Sequence, residues 1–264
     1  MPGINKLCYY DQIKSLMNKI KQSPTSPDDT FSKKKCKKEM RILHNKLFEL
    51  QNVFYADSRF SLLIIFQGTD TAGKDGTIRH VMSCMNPMGV RVTPFKEPTA
   101  EELNHDFLWR IVPHFPAKGM IAVFNRSYYE DILVPFIGKK LSKEELNQRC
   151  QLMNVLENHL ESNGIHVLKF FLNVSHEEQK KRIKERLTQP HKRWKYSPED
   201  KASADRYDDY MEAYETIIEQ CNVCEWHIVP ADKRWYRNYA VADFLIKHLE
   251  SLHLQFPESI KVNK

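Results

Sequence analysis

Five short apolar runs, most of them separated by helical patterns, restrict this chain to a small group of folds. The runs lie at residues 61–66, 90–95, 120–124, 167–172 and 226–229. Strands that alternate with helices pair in parallel, because each helix carries the chain back across one face of the sheet. The pattern therefore predicts an α/β fold with a parallel sheet of about five strands, flanked by helices and binding ligands at the carboxyl ends of the strands.

The length of the chain, 264 residues, suits one well-filled core better than two domains of average size. Helical spacing at residues 9–21 and 31–56, interrupted by Pro24 and Pro27, predicts extra N-terminal helices before the sheet. We therefore expect residues 1–56 to form a helical extension that packs on the core. Residues 57–255 are expected to form the main domain, with a helical lid at about residues 188–206.

A phosphate-binding loop is predicted directly after the most apolar run. Residues 68–74 read GTDTAGK and stand immediately before a helical pattern. Glycines in such a loop let backbone N–H groups converge on phosphate oxygens, and the N-terminus of the helix adds positive potential. Lys74 would reach the phosphate that is transferred. The residues expected to surround the phosphates are Gly68, Thr71, Ala72, Gly73, Lys74, Asp75 and Gly76.

Two carboxylates in this region predict a bound cation. Asp70 lies inside the loop, and Asp75 follows Lys74, where most phosphate loops carry Ser or Thr. Carboxylates beside phosphates would repel them unless a cation intervened. We therefore expect Mg²⁺, or Mn²⁺ in its place, held by Asp70. A role for Asp75 in metal binding and a role as a first-turn acid stabilised by the helix dipole remain equally open.

A second motif ends the third apolar run with Asn125 and Arg126. Phosphate-loop enzymes often place an acidic metal partner at this strand end, so the neutral Asn125 shifts the metal to Asp70. Arg126 can bind phosphoryl oxygens through its planar fork. Glu130 and Asp131 lie one turn into the next helix, where they either offset the helix dipole or support the metal or the phosphate acceptor.

Basic side chains recur at the predicted strand ends and in the lid. Each alone is usually a solvated charge, but their convergence on one side of a sheet would bind a polyanion. The residues assigned to phosphate binding in this way are Arg79, Lys96, Arg110, Arg182, Arg186, Lys192, Arg193 and Lys195. By contrast, the densest basic run, residues 33–38 with Arg41, lies in a helical pattern and is predicted to be a solvated face.

The overall composition fits a cytoplasmic protein with an anionic partner. The formal net charge is +6 and the sequence pI is about 8.9. No apolar stretch approaches the length of a membrane span, and the N-terminal residues lack the apolar region of a signal peptide. The six cysteines are expected to stay reduced, and Cys221 and Cys224 are predicted to be buried thiols in preference to zinc ligands.

Three segments together resemble the family-2 polyphosphate kinases. They read GTDTAGKDG at residues 68–76, FNRSYYEDIL at 124–133 and KRWKYSPED at 192–200, and similarity extends from about residue 54 to about residue 249. The form of the second motif is similar to that of the subgroup that uses both AMP and ADP. One departure is Tyr207, where the family pattern leads us to expect a tryptophan.

The resemblance implies a P-loop kinase fold and an Mg²⁺-dependent transfer of phosphoryl groups from inorganic polyphosphate to purine nucleoside mono- and diphosphates. It implies catalytic roles for Asp70, Lys74 and Arg126, and phosphate-binding roles for the basic residues around the lid. It also implies a homo-oligomer, a dimer or a tetramer, with neither nucleic acid nor a membrane as partner.

Two other functions compete with this interpretation. The first is an ATP-dependent kinase for a nucleotide or another small molecule, built on the same sheet. The second is a nucleic-acid binder without enzymatic activity that uses the basic surface, although the sequence contains no recognised nucleic-acid motif.

Overall fold

The computed structural model describes residues 20–258. The helix predicted over residues 9–21 therefore lies outside the described residues except for its last two positions, which belong to a 3₁₀ turn at Ile20–Gln22. Within residues 20–258, no helix is both long and apolar enough to cross a membrane.

A five-stranded parallel sheet forms the centre of the molecule, as predicted, with the strand order β2-β3-β1-β4-β5. In the register of the sheet, Phe66 of β1 pairs with Asn125 of β3, so the loops that follow these two strands start side by side. The strands are β1 (Ser61–Gln67), β2 (Val90–Pro94), β3 (Ile121–Asn125), β4 (Ile165–Asn173) and β5 (Trp226–Pro230).

Nine α-helices surround the sheet in the described part of the chain. Side chains alternate across β1, so that Leu63 and Ile65 pack on one face with α4, α5 and α8, while Leu62 and Ile64 pack on the other with α1, α2 and α9. The helices are α1 (Lys33–Asp57), α2 (Lys74–Met82), α3 (Ala100–Leu103), α4 (Glu130–Ile137), α5 (Lys143–Ser162), α6 (His176–Thr188), α7 (Pro198–Asp205), α8 (Tyr207–Gln220) and α9 (Arg234–Ser251).

The long helix α1 matches the helical pattern predicted at residues 31–56. It begins after Ser32, whose side chain accepts a hydrogen bond from the N–H of Lys35. Its buried side chains Met40, Leu47 and Phe54 join the same apolar cluster as α9. The lysines at residues 33–35, 37 and 38 are exposed, as predicted, while Cys36 between them is buried. The boundary of a separate N-terminal extension at residue 56 stays a prediction.

A polar network lies inside the face that α4, α5 and α8 cover. The ammonium of Lys169, on β4, donates to Glu157 at 2.7 Å, to the Tyr129 hydroxyl at 3.0 Å and to the carbonyl of Cys221 at 3.0 Å. The Tyr128 hydroxyl donates to Glu157 as well, at 2.7 Å. Lys169 and Glu157 are fully buried, so each charge depends on the other for its compensation. Cys221 and Cys224 are both buried free thiols, as predicted.

Removing one member of this network should destabilise the fold strongly. Lys169→Met keeps most of the side-chain volume but leaves Glu157 as a buried charge without its cation. We expect a loss of about 3–5 kcal/mol in the free energy of unfolding, measured by urea denaturation, whereas Lys118→Met at an exposed position should change little. A loss below about 1 kcal/mol for Lys169→Met would show that the pair is not a structural requirement.

Candidate active site

The loop after β1 adopts the conformation that phosphate loops require. Gly73 caps the N-terminus of α2 with φ +104°, and Thr71 also has a positive φ of 62°. A Cβ atom at Gly73 would lie 1.9 Å from Nη1 of Arg237, so both the backbone angle and the space call for glycine. The carbonyl of Thr71 accepts a hydrogen bond from Nη1 of Arg182 at 3.0 Å, which helps to hold this strained conformation.

Lys74, at the start of α2, folds back over the loop. Its Nζ donates to the carbonyl of Gly68 at 2.6 Å and to that of Thr69 at 3.3 Å. Burial lowers the pKa of Lys74, and the charge of Arg126 adds to this effect, while Asp70 opposes it. An anion bound in the loop would therefore favour the charged ammonium and complete its environment.

Asp70 and Arg126 meet where the loops after β1 and β3 run side by side. Nη2 of Arg126 lies 2.9 Å from Oδ1 of Asp70, and Arg126 has a positive φ of 64°. Burial disfavours the charged guanidinium, but Glu130 and Asp70 outweigh this effect and raise the pKa of Arg126 above its ordinary value. The structure thus brings together the three residues that the sequence assigned to catalysis, Asp70, Lys74 and Arg126.

Asp75 and Asn125 form a second contact between the same two strand ends. Nδ2 of Asn125 donates to Oδ1 of Asp75 at 2.7 Å. Burial raises the pKa of Asp75, but this hydrogen bond and the charges of Lys74 and Lys195 more than offset it, so the pKa lies below its usual value. Asp75 therefore stays ionised beside the loop. The involvement of Lys195 brings the lid to the same place.

The carboxylates of this site can contribute to a cation site but do not form a complete one by themselves. Asp70 and Asp75 each bond a neighbouring side chain through Oδ1, which leaves Oδ2 as a hard oxygen donor. Residues 20–258 contain no group of three or more metal-binding side chains arranged around one point. A divalent cation here would take its remaining ligands from phosphate oxygens and water, as Mg²⁺ does in phosphoryl-transfer sites.

Arg182 has a different task from the phosphate binding that the sequence predicted. Its Nε donates to Glu178, and its two terminal nitrogens donate to the carbonyls of Thr71, Ala72, Ala231 and Asp232 at 2.7–3.1 Å. These contacts use all five N–H groups of the guanidinium. Arg182 therefore holds the outside of the phosphate loop and has no N–H group left for a phosphate.

Arg237, on α9, also holds the loop, and the sequence reasoning missed it. Its Nη1 donates to the carbonyl of Ala72 at 3.0 Å. Burial, with the nearby charges of Arg182 and Arg234, lowers the pKa of Arg237 to about 9. The available signal was an arginine on the apolar face of a helix, four residues before Val241. We refer to Arg182 and Arg237 below as the arginine clamp.

Two neutral side chains complete the support of the loop. Nε2 of Gln179, on α6, donates to the carbonyl of Asp70 at 3.1 Å. The hydroxyl of Tyr214, on α8, donates to the carbonyl of Gly68 at 3.2 Å. Neither residue carried a signal in the sequence, because glutamine and tyrosine at these positions fit an ordinary helix equally well.

The segment predicted as a lid contains a 3₁₀ turn at Pro190–Lys195 and the helix α7. Arg186 anchors it through Asp200 at 2.6 Å, and Lys192 pairs with Glu185 at 2.8 Å. Nε of the exposed Arg193 donates to a carbonyl of α6. At the far end of the segment, Tyr207 stacks on His176 with ring centroids 4.6 Å apart, so an aromatic ring is kept where a tryptophan was expected.

Glu130 and Asp131 lie at the start of α4, beside the site. Burial raises the pKa of Glu130, although Arg126 and Lys74 oppose this. Burial also raises the pKa of Asp131 to about 6, against the attraction of Arg110. Oδ2 of Asp131 is buried without a hydrogen-bond partner among residues 20–258. Compensation of the helix dipole does not explain a buried carboxylate oxygen that lacks a donor.

Three basic residues of the predicted set lie apart from the loop. Arg110 is buried, where it donates to the carbonyl of Lys96 at 3.0 Å and faces the ring of Phe95. The side chain of Lys96 is exposed. Arg79 is exposed on α2 and makes no contact with the loop among the described residues. The predicted convergence of cations is therefore tight for Lys74 and Arg126, and looser for these three.

Comparisons with known proteins agree with this geometry. The family model described as polyphosphate kinase 2 (PPK2) matches residues 30–257, which include all of α1, so the match begins before residue 54, where the similarity was expected to start. The AMP/ADP-polyphosphate phosphotransferase of Meiothermus ruber is 39% identical over 238 residues, which cover 88% of this chain and 89% of the relative.

Two further comparisons cover a similar share of the chain. The ADP-polyphosphate phosphotransferase of Rhodopseudomonas palustris is 39% identical over 251 residues, 89% of this chain and 87% of the relative. The crystal structure of polyphosphate kinase 2 from Arthrobacter aurescens TC1 superposes with a TM-score of 0.84 at 41% identity and covers 87% of this chain and 83% of that one. On the strength of its fold, its phosphate loop and these matches, the chain belongs to the polyphosphate kinase 2 family.

Proposed function

We propose that this protein transfers the terminal phosphoryl group of inorganic polyphosphate to nucleoside mono- and diphosphates. The reaction converts AMP to ADP and ADP to ATP, extends to guanine nucleotides and is reversible. The single observation that carries the proposal is the meeting of Lys74, Asp70 and Arg126 at one end of the sheet, in a chain of this family. Relatives that act on AMP, on ADP or on both support the choice of acceptors.

In this mechanism the phosphate loop grips the end of the polyphosphate chain. Backbone N–H groups of residues 68–76 and the N-terminus of α2 bind the terminal phosphates. Lys74 and Arg126 neutralise the charge that spreads over the transferred group. Asp70 holds Arg126 in the required orientation through their ion pair. The attacking oxygen of the acceptor phosphate is already ionised near neutral pH, so no general base is required.

Asp70 would also hold the divalent cation that the kinase family indicates, and we propose Mg²⁺, or Mn²⁺ in its place. The cation would neutralise charge on the phosphates and align them for transfer. Asp75, fixed by Asn125, supplies a second oxygen close to the same phosphates. On the other side, Glu130 and Asp131 would support the acceptor, and Arg186, Lys192, Arg193 and Lys195 would follow the phosphates from the lid.

We further propose that the protein works in the cytoplasm as a homo-oligomer, a dimer or a tetramer. The described cysteines are all free thiols, which suits a reducing compartment. Several large apolar side chains are exposed, among them Met88, Leu103 and Val155, each more than 60% accessible. Side chains of this type would lose their solvent exposure at an interface between subunits.

The assay that tests the proposal uses purified protein with Mg²⁺, long-chain polyphosphate and ADP, and detects ATP with luciferase. We expect ATP to form only when polyphosphate is present. EDTA, which removes the metal, should abolish the activity, and an excess of Mg²⁺ should restore the activity. Parallel reactions with AMP, GMP and GDP define the acceptors. Phosphorylation that requires ATP and ignores polyphosphate would support the competing ATP-dependent kinase instead.

Substitutions in the loop should separate chemistry from folding. Lys74→Ala and Asp70→Asn each remove a charge next to the transferred group, so we expect turnover to fall by about two to four orders of magnitude. Circular dichroism and thermal unfolding should stay close to those of the unsubstituted protein. Lys118→Ala, an exposed lysine away from the loop, is the matched control. Near-normal turnover in both loop variants would rule out this assignment.

Replacing Arg237 of the arginine clamp should weaken the binding of polyphosphate, although Arg237 contacts the phosphate loop and not the substrate. Arg237→Met keeps the volume but leaves the carbonyl of Ala72 without this donor, so the loop loosens. We expect a KM for polyphosphate raised about tenfold, with a smaller change in the KM for ADP. Arg91→Met, at an exposed position on β2, serves as control. An equal rise in both KM values would mean that Arg237 acts only through general stability.

A further inference from the structure

A basic groove of about 800 Å³ lies between α1, α6 and the N-terminus of α9. Among its lining residues, only Lys192 belongs to the proposed phosphate-binding lid. Three of the groove residues, Lys33, Lys37 and Arg41, stand four positions apart on α1 and therefore form one stripe along the helix. Lys233 faces them from the turn before α9.

These four cations are unpaired within the part of the chain that the structure describes. All four are exposed, and among residues 20–258 none of their side chains takes part in a hydrogen bond or an ion pair. The groove also contains Lys181 and Arg234, but both pair with glutamates of α6, Lys181 with Glu178 at 3.3 Å and Arg234 with Glu185 at 3.0 Å. The third acid of the groove, Asp232, accepts hydrogen bonds from the Ser26 hydroxyl and from the N–H of Ser175. Seven lysines and arginines therefore face three carboxylates, and the net charge of the lining is positive.

The position of the stripe on α1 is unfavourable for the helix itself. α1 begins at Lys33 and has no acidic residue in its first turn. Cations at a helix N-terminus are repelled by the positive end of the helix dipole, where acids are preferred. The dipole acts mainly within the first turn and so applies to Lys33, while Lys37 and Arg41 each repel the like charge four residues away. Helix stability therefore does not explain these residues, whereas an anion bound along the stripe would reduce both unfavourable interactions.

The wall of the groove is linked to the phosphate loop through the arginine clamp. Asn238 lines the groove and accepts a hydrogen bond from Arg237, whose other terminal nitrogen donates to Ala72 of the loop. Glu178 lines it as well and holds Arg182, which donates to Thr71. Lys192 extends the lining into the lid. A chain that leaves the loop under the lid would therefore reach the groove next.

We propose that this groove binds the part of the polyphosphate chain that lies beyond the phosphates held in the loop. This inference rests on the proposed function. A polyphosphate is a flexible polyanion without a shape to recognise, so cations spaced along a rigid helix provide the complementary surface. The favourable free energy of binding comes from charge neutralisation and the release of counterions, as for other polyanions. The groove makes the enzyme prefer long chains to short ones and leaves the transfer step unchanged.

The test compares chain lengths in two triple variants of α1. The groove variant carries Lys33→Gln, Lys37→Gln and Arg41→Gln. The control carries Lys34→Gln, Lys35→Gln and Lys38→Gln, which remove the same charge from exposed positions of the same helix that do not line the groove. Each protein is assayed with ADP and Mg²⁺, once with long-chain polyphosphate and once with the shortest polyphosphate that the unsubstituted enzyme accepts. Binding of single-stranded nucleic acid is measured in parallel.

We expect the groove variant to raise the KM for long chains about tenfold and to weaken the salt dependence of that KM. Its kcat and its KM for short chains should stay unchanged, and the control should behave like the unsubstituted protein. The proposal that the groove binds polyphosphate is overturned if the KM changes equally for long and short chains, or if the control variant raises the KM for long chains as much as the groove variant does. Loss of nucleic-acid binding without any change in the KM for long chains overturns it in favour of a nucleic acid. No activity with any polyphosphate in the unsubstituted protein would instead refute the proposed function.

Discussion

The structure depends on how the carbonyl groups of the phosphate loop are satisfied. A loop that directs its N–H groups to phosphates turns carbonyl groups toward the protein, and buried carbonyls require donors. The arginine clamp provides them: Arg182 bonds the carbonyls of Thr71 and Ala72, and Arg237 bonds that of Ala72 again. Since Arg182 also bonds Ala231 and Asp232, it ties the loop after β1 to the turn after β5.

The clamp also fixes the electrostatics of the site. Three buried cations, Lys74, Arg182 and Arg237, lie around one short loop, and the pKa of each is lowered chiefly by burial. The positive charge around the loop is compensated only in part by the carboxylates of the protein. A phosphate chain supplies the missing negative charge, so substrate binding and stabilisation of the loop reinforce each other.

Most of the fold and part of the site could be predicted from the sequence. The apolar runs located all five strands. The central strands β1, β3 and β4 consist of nearly continuous apolar residues because they are buried on both faces, whereas most residues of β2, at the edge of the sheet, are exposed. The positions of Asp70 and Arg126 after strand ends were predicted from the two motifs, but their ion pair was not, because the sequence assigned one to the metal and the other to phosphoryl oxygens. The clamp could not be predicted, since Arg182 and Arg237 reach the loop from helices far along the chain, and only tertiary packing brings them there. The stripe on α1 was recognised as basic, but its groove forms only against α6 and α9.

In the proposed mechanism, the backbone N–H groups of residues 68–76 bind the end of a phosphate chain. Hydrogen–deuterium exchange of these amides, with and without polyphosphate and Mg²⁺, measures this grip directly. Strong protection of the amides at Gly73, Lys74 and Asp75 on addition of polyphosphate is the result that the structure predicts. Unchanged exchange at these three amides, under conditions where polyphosphate is bound, would place the substrate elsewhere on the molecule and contradict the account.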